Sequence, residues 1–183
     1  MLKKEQIKQY QEDGFIIPDF KMSENDLLEI EEKHNQLIHK FPEYKNYCPA
    51  VLLKDKSFLK YCLNDKILDL VEQLLGNKFA LWNSSFFAKP AHNGFETPWH
   101  QDGQYWPINP LATCTVWLAI DDATEENGCL RFIKGSHKDK KLKDHSLNKK
   151  ENLTLHQELN KNEYDISKSV NLLLKRGQIS LHD

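Results

Sequence analysis

The stretch Trp99-His100-Gln101-Asp102-Gly103-Gln104-Tyr105-Trp106 places an imidazole and a carboxylate two positions apart in an aromatic-rich segment. If that segment is extended, side chains i and i+2 leave the same face, so His100 and Asp102 could both reach one metal ion. A neutral nitrogen donor beside an anionic oxygen suits Fe(II), and the two would form part of a 2-His-1-carboxylate set on one face of the ion. Alone, the H-x-D spacing is a weak signal, because a chain with 8 histidines readily produces it by chance. Its surroundings strengthen it: Pro98 and Trp99 precede the pair, and Tyr105, Trp106 and Pro107 follow it, as a stiff aromatic wall. A His and an Asp among so much apolar surface cost free energy unless both find partners. A metal would satisfy both at once; a His–Asp hydrogen bond at a sheet rim is the alternative.

The other histidines are weaker candidates. His34 and His39 fall on a helical pattern and are expected to be exposed, His92 lies in a turn, and His145 and His156 belong to a polar excursion. His137 follows a strand end, where it could orient a loop. His182 is the one late histidine in a strand-like context and is a candidate ligand on position alone.

The elements that must position the pair come in two blocks. Ser23-Glu24-Asn25-Asp26 reads as an N-cap with an acidic N3 residue, followed by Leu27, Ile30, Leu37 and Ile38 among charged positions. A second helix runs from Asn64 or Asp65 through Ile67, Leu68, Leu70, Val71, Leu74 and Leu75 to a stop at Gly76-Asn77. Gly14 to Pro18 reads as a short extended piece. After Gly76 the period changes to that of strands: Phe79 to Ala88, the segment around His100, Ala112 to Asp121, Cys129 to Ile133, Val170 to Leu174 and Gln178 to Asp183. In Ala112–Asp121 one set (Ala112, Cys114, Val116, Leu118, Ile120) alternates with another (Thr113, Thr115, Trp117, Ala119). Helices followed by turn-punctuated strands predict an α+β fold, with the helices backing a sandwich or open barrel.

Composition narrows the class. The chain has 183 residues, enough for one domain with a substantial core, and its 39% hydrophobic and 28% charged content is that of an ordinary globular protein. With 25 Lys and Arg against 27 Asp and Glu, the net charge of -2 supplies no field for nucleic acid or an acidic membrane. The first ten residues are polar, unlike a signal peptide, and no apolar run has the length of a membrane span, so the expected address is cytoplasmic. Cys48, Cys62, Cys114 and Cys129 show no metal-ribbon spacing and read as reduced thiols. Residues 138–168 are rich in lysine and read as a solvated polar insertion within a single domain spanning 1–183, which could still carry a cover for the site.

Several motifs resemble the phytanoyl-CoA dioxygenase family of Fe(II)- and 2-oxoglutarate-dependent oxygenases. They are Asp13-Gly14-Phe15, the run Trp82 to Lys89, Trp99-His100-Gln101-Asp102 with Tyr105-Trp106, and the run Thr115 to Thr124. The strongest is Glu126 to Ile133 leading into Gly135-Ser136-His137, with Lys134 where members commonly have proline. The resemblance implies a double-stranded β-helix (jelly-roll, cupin-like) core, mainly β, with N-terminal helices packed on one sheet. It matches His100 and Asp102 to the first two iron ligands and Trp117 to a position lining the 2-oxoglutarate site. His182 matches the strand position before the distal histidine ligand rather than the ligand itself, and the distal H-G-S histidine and the arginine that pairs with 2-oxoglutarate have no counterpart. The implied protein is a hydroxylase of a small organic molecule using O₂, with no catalytic side chain beyond the metal ligands and with this chain a C-terminally truncated, nearly inactive member. Retention of Asp102, which related halogenases replace, favours hydroxylation over halogenation. Two rivals remain: a non-catalytic fragment or degenerate jelly roll that binds metal or a small molecule without turnover, and a cupin-like zinc site.

Overall fold

Residues 1–183 are all described in the structure, a computed structural model. Its helices are α1 (Lys4–Asp13), α2 (Glu24–Lys40), α3 (Leu59–Cys62) and α4 (Asp65–Leu75). Its strands are short: β1 (Phe15–Ile16), β2 (Tyr47–Cys48), β3 (Phe86–Phe87), β4 (Thr115–Leu118), β5 (Leu130–Ile133), β6 (His145–Leu147), β7 (Gln157–Leu159), β8 (Ser169–Leu172) and β9 (Ile179–His182).

Helix boundaries follow local chemistry. The Ser23 hydroxyl accepts from Asp26 N–H at 3.1 Å to start α2, whose Leu27, Ile30 and Leu37 are buried. Asn64 Oδ1 accepts from Lys66 and Ile67 N–H at 3.1 and 3.4 Å to start α4, and Gly76 ends it with φ 80°. Asn64→Ala leaves those donors unpaired, so it is expected to lower unfolding free energy by about 1 kcal/mol in urea titration, with the slope unchanged. No helix signal marks the N-terminus in the sequence, yet α1 forms there. Its inner side, Gln6, Ile7, Tyr10 and Asp13, recurs at helical spacing but is half polar, and only Tyr10 is buried.

At the centre of the fold β9 pairs antiparallel with β1 on one side and β4 on the other. Ile179 and Leu181 point to the helices, and together with Leu2, Tyr10, Ile16, Met22, Leu27, Ile67, Leu70 and Val71 they form the main core. Cys114, Val116, Leu118 and Ile120 pack against it, so one of the two alternating sets lies on the helix side. The opposite face carries Thr115, Trp117, Ser180 and His182. A second sheet, β5 with β8, lies across from that face, where Phe132 stacks on Phe15 and packs at a tilt against His182, each with ring centroids 4.9 Å apart. Arg176, in the turn before β9, donates to Glu24 and Glu31 of α2 and to the Ile120 carbonyl, tying that turn to the helices.

Two sequence motifs meet as a clasp. Gly135 N–H donates to Asp13 O at 2.9 Å, Lys134 Nζ to the Asp13 carboxylate at 2.9 Å, and His137 Nε2 lies 3.1 Å from Gln11 O. Gly14, at φ 89°, packs directly under the His137 ring, and its carbonyl accepts from Asp183 N–H at 3.0 Å.

Three strand expectations change. Only Phe86–Phe87 of the 79–88 segment is a strand, paired with β2; Phe79, Leu81 and Trp82 are 36%, 46% and 58% exposed, with no neighbouring strand to pair their backbone. Residues 112–121 contribute four strand residues, β4. The segment around His100 is not a strand at all: Asp102–Tyr105 is a single 3₁₀ turn. Residues 138–168 are polar, yet they include an ordered hairpin, β6 with β7, and bury Leu153, Thr154, Leu155 and Leu159.

Candidate metal centre

The pair is shaped by a bend rather than by a strand. His100 Nδ1 lies 2.8 Å from the Pro98 carbonyl, and the chain turns at Asp102 so that Asp102 Oδ1 comes 3.2 Å from His100 Nε2. The i, i+2 spacing works because the turn brings the two ends of the bend together.

The 138–168 segment holds the bend. Gln101 N–H donates to His145 Nε2 at 3.1 Å, Gln101 Oε1 accepts from Lys143 N–H at 2.7 Å, and Gln101 Nε2 donates to Lys141 O at 3.0 Å. His145 Nδ1 lies 2.8 Å from Lys143 O, a pattern that places the proton on Nδ1 and leaves Nε2 as the acceptor. Leu159 N–H donates to Trp99 O at 2.8 Å, and the Tyr105 hydroxyl donates to Gln157 O at 2.9 Å. Trp99 packs at a tilt against Tyr164 and lies beneath the Arg131 guanidinium. His145, which the sequence places in a polar excursion, is thus a support of the site.

On the other side lies the sheet. The Thr115 hydroxyl donates to Asp102 Oδ2 at 2.8 Å, and His182 Nε2 lies 3.5 Å from the same oxygen. Trp117 shares the face of Thr115, two positions along β4, and packs with Ala119, Ala123 and Leu174. His34 departs from expectation: it is half-buried, its ring 4.7 Å from that of Phe86, and burial lowers its pKa. All four cysteines are free thiols.

Electrostatics favour a charged carboxylate and a protonated imidazole at the pair. Burial opposes the charged carboxylate of Asp102, but bonds and charges from His100 and His182 outweigh it and hold the group well below the usual carboxylate range. Burial likewise opposes a charged His100, but the bond to Asp102, its charge and the Pro98 carbonyl together raise its pKa. Both ring nitrogens of His100 face acceptors, so one proton on Nδ1 leaves Nε2 and Oδ1 opposed without a positive charge between them. Either a second proton or a metal ion resolves that. Two cis ligands each ~2.1 Å from an octahedral ion lie about 3 Å apart, close to the observed separation. The donor set fits two coordination positions; no three His, Cys, Asp or Glu side chains converge to hold an ion by themselves.

The raised pKa of His100 has a stability consequence. Its contribution is complete below the unfolded value of 6.5 and is lost as pH rises through the higher folded value. The chain is therefore expected to lose stability as pH climbs from about 6 through that raised value. The measurement is thermal melting against pH, with the slope reduced in His100→Ala.

A surface depression of about 470 Å³ lies on the hairpin between Ser146–Lys149 and Glu158–Lys161, away from the pair; its polar, open lining gathers no such donors.

The fold is the jelly roll of known oxygenase structures. The crystal structure of EvdO2 from Micromonospora carbonacea var. aurantiaca superposes with TM-score 0.79 at 18% identity over 100% of this chain and 81% of that one. The apo structure of ThoJ, described as a non-heme monooxygenase, superposes with TM-score 0.78 at 24% identity over 97% of this chain and 67% of that one. The family model for phytanoyl-CoA dioxygenase (PhyH) matches residues 1–183, and the chain belongs to that family. Among its relatives, the phytanoyl-CoA dioxygenase domain-containing protein 1 homolog of Caenorhabditis briggsae is 36% identical over 94 residues, covering 51% of this chain and 33% of that protein. The peroxisomal phytanoyl-CoA dioxygenase of Homo sapiens is 27% identical over 162 residues, covering 73% of this chain and 47% of that protein. The chain thus spans about a third to a half of the length of these curated relatives. No helix is long and apolar enough to cross a membrane.

Proposed function

We propose that the chain carries the iron-binding segment of an Fe(II)- and 2-oxoglutarate-dependent dioxygenase that hydroxylates a small organic molecule. The observation that supports this most directly is the donor pair, His100 Nε2 and Asp102 Oδ1, 3.2 Å apart and each oriented by a further contact. When bound, the ion with 2-oxoglutarate and O₂ would supply the oxidant that converts a substrate C–H to C–OH while the 2-oxo acid becomes succinate and carbon dioxide. The chain's own part is to bind and to exclude water. His100 and Asp102 hold the ion, and Trp117, on the same sheet face as Thr115, walls the 2-oxoglutarate position. Phe15 and Phe132, stacked between the sheets, keep bulk water from that face.

Cytoplasmic residence is part of this reading, although the relatives from Homo sapiens, Mus musculus and Bos taurus are named as peroxisomal. The convergence of two donors rather than three supports a second reading, in which residues 1–183 bind metal weakly and turn over little or no 2-oxoglutarate. An anaerobic Fe(II) titration with 2-oxoglutarate, followed by admission of O₂ and measurement of succinate, separates the two. Saturable Fe(II) binding that His100→Ala removes, with succinate formed, supports the dioxygenase. The same binding without succinate supports the non-catalytic reading. Absence of any His100-dependent binding sinks both.

A further inference from the structure

The two oxygens of Asp102 have different neighbours. Oδ1 faces His100 Nε2, whereas Oδ2 accepts from Thr115 Oγ1 at 2.8 Å and lies 3.5 Å from His182 Nε2. Thr115 and His182 are directly opposite each other in the antiparallel register of β4 and β9, so both approach the same oxygen from one face of the sheet. The arrangement spans three separate pieces of chain: the bend, β4 and β9.

We propose that Thr115 and His182 are positioning residues that occupy Asp102 Oδ2 and so present the carboxylate to a divalent cation through Oδ1 alone. The inference rests on the reading that His100 and Asp102 bind a cation. A free carboxylate can chelate with both oxygens. Here a chelating ion would compete with Thr115 for Oδ2, and losing that bond would leave a hydroxyl donor without a partner. One-oxygen binding keeps that bond and leaves another coordination position to a co-substrate.

His182 is built to support rather than to ligate. It is 7% exposed, its ring packs at a tilt against Phe132, and its backbone is paired with Phe15 on one side and Thr115 on the other. Its Nε2 faces Asp102 Oδ2 at 3.5 Å. Nδ1 is buried without a partner and lies on the other side of the ring.

The test is a Co(II) titration of the chain by calorimetry, beside ¹⁵N NMR of the imidazole nitrogens. Thr115→Val is isosteric and favours a strand, so it removes only the donor; it should weaken Co(II) about 10- to 100-fold, the usual loss for a group that orients a ligand. Thr115→Ser restores the hydroxyl and should bind within about threefold of the parent chain. His182→Gln keeps a donor at the place of Nε2 and should bind within about tenfold, and NMR should show His182 protonated on Nε2. Equal Co(II) affinity in the parent chain and Thr115→Val overturns the inference while leaving the metal site intact. Loss of binding in His182→Gln as complete as in His100→Ala overturns it too, by making His182 a ligand. No difference between the parent chain and His100→Ala overturns the cation reading beneath it.

Discussion

Asp102→Ala is expected to weaken Fe(II) or Co(II) binding by at least about 100-fold, a larger loss than for a group that only orients a ligand. The substitution removes the anionic member of a two-donor set and leaves a single imidazole, which holds a hydrated ion poorly. It also removes the partner of Thr115 Oγ1 and the charge that raises the pKa of His100. The variant should therefore lose both metal affinity and the excess dependence of melting on pH that distinguishes the parent chain from His100→Ala. Asp102→Asn keeps an oxygen for Thr115 without the charge, so it should fall between the two in affinity. Calorimetric titration of the three chains with Co(II) at fixed pH measures the order. Parent-like affinity in Asp102→Ala would remove the carboxylate from the site.

The second large effect concerns Gly14. Its φ of 89° is a left-handed conformation that a side chain disfavours, and an added Cβ would lie 2.6 Å from His137 Nδ1 and 3.1 Å from Cγ. Gly14→Ala is therefore expected to cost roughly 2–5 kcal/mol, combining backbone strain with overpacking. In a chain of this length that corresponds to a fall in melting temperature of roughly 5–15 °C. The two causes can be separated by a double-mutant cycle. Adding His137→Ala clears the space above residue 14, so the double variant should recover the steric share and keep the backbone share. If Gly14→Ala melts with the parent chain, the clasp between the Asp13-Gly14 and Gly135-Ser136-His137 motifs does not bear on stability.

Much of the scaffold is legible in the sequence because its signals are local. Ser23 and Asn64 cap their helices as their types suggest, and the two alternating sets in residues 112–121 mark which side chains of β4 face the helices and which face the site. His100 and Asp102 come together as the spacing suggests, but by a different route. A 3₁₀ turn replaces the strand because the segment finds no neighbouring ladder, and the bonds of Gln101, Trp99 and Tyr105 go instead to partners from residues 138–168. Those partners are remote in sequence, and nothing in a lysine-rich run announces that His145 or Lys143 will meet Gln101. The same holds for Thr115. Alternation places it on the outward face, but its use as a carboxylate donor depends on the pairing of β4 with β9 and on the position of a bend that belongs to neither. Phe79 to Trp82 depart from expectation for the converse reason: the residues suit a strand, and no strand lies beside them.

The hairpin's grip on Gln101 links two properties that are otherwise separate. The bend at Asp102 owes its shape to main-chain and side-chain bonds from Lys141, Lys143, His145, Gln157 and Leu159, so an ion bound there would also stabilise the hairpin by mass action. The exposed lysines around Lys140 and Lys141 make that coupling visible to trypsin. Bound metal should slow cleavage there, and a chain nicked at those bonds should release its metal although neither His100 nor Asp102 has been touched. Susceptibility to a protease on the outer surface then becomes a gauge of order at the centre.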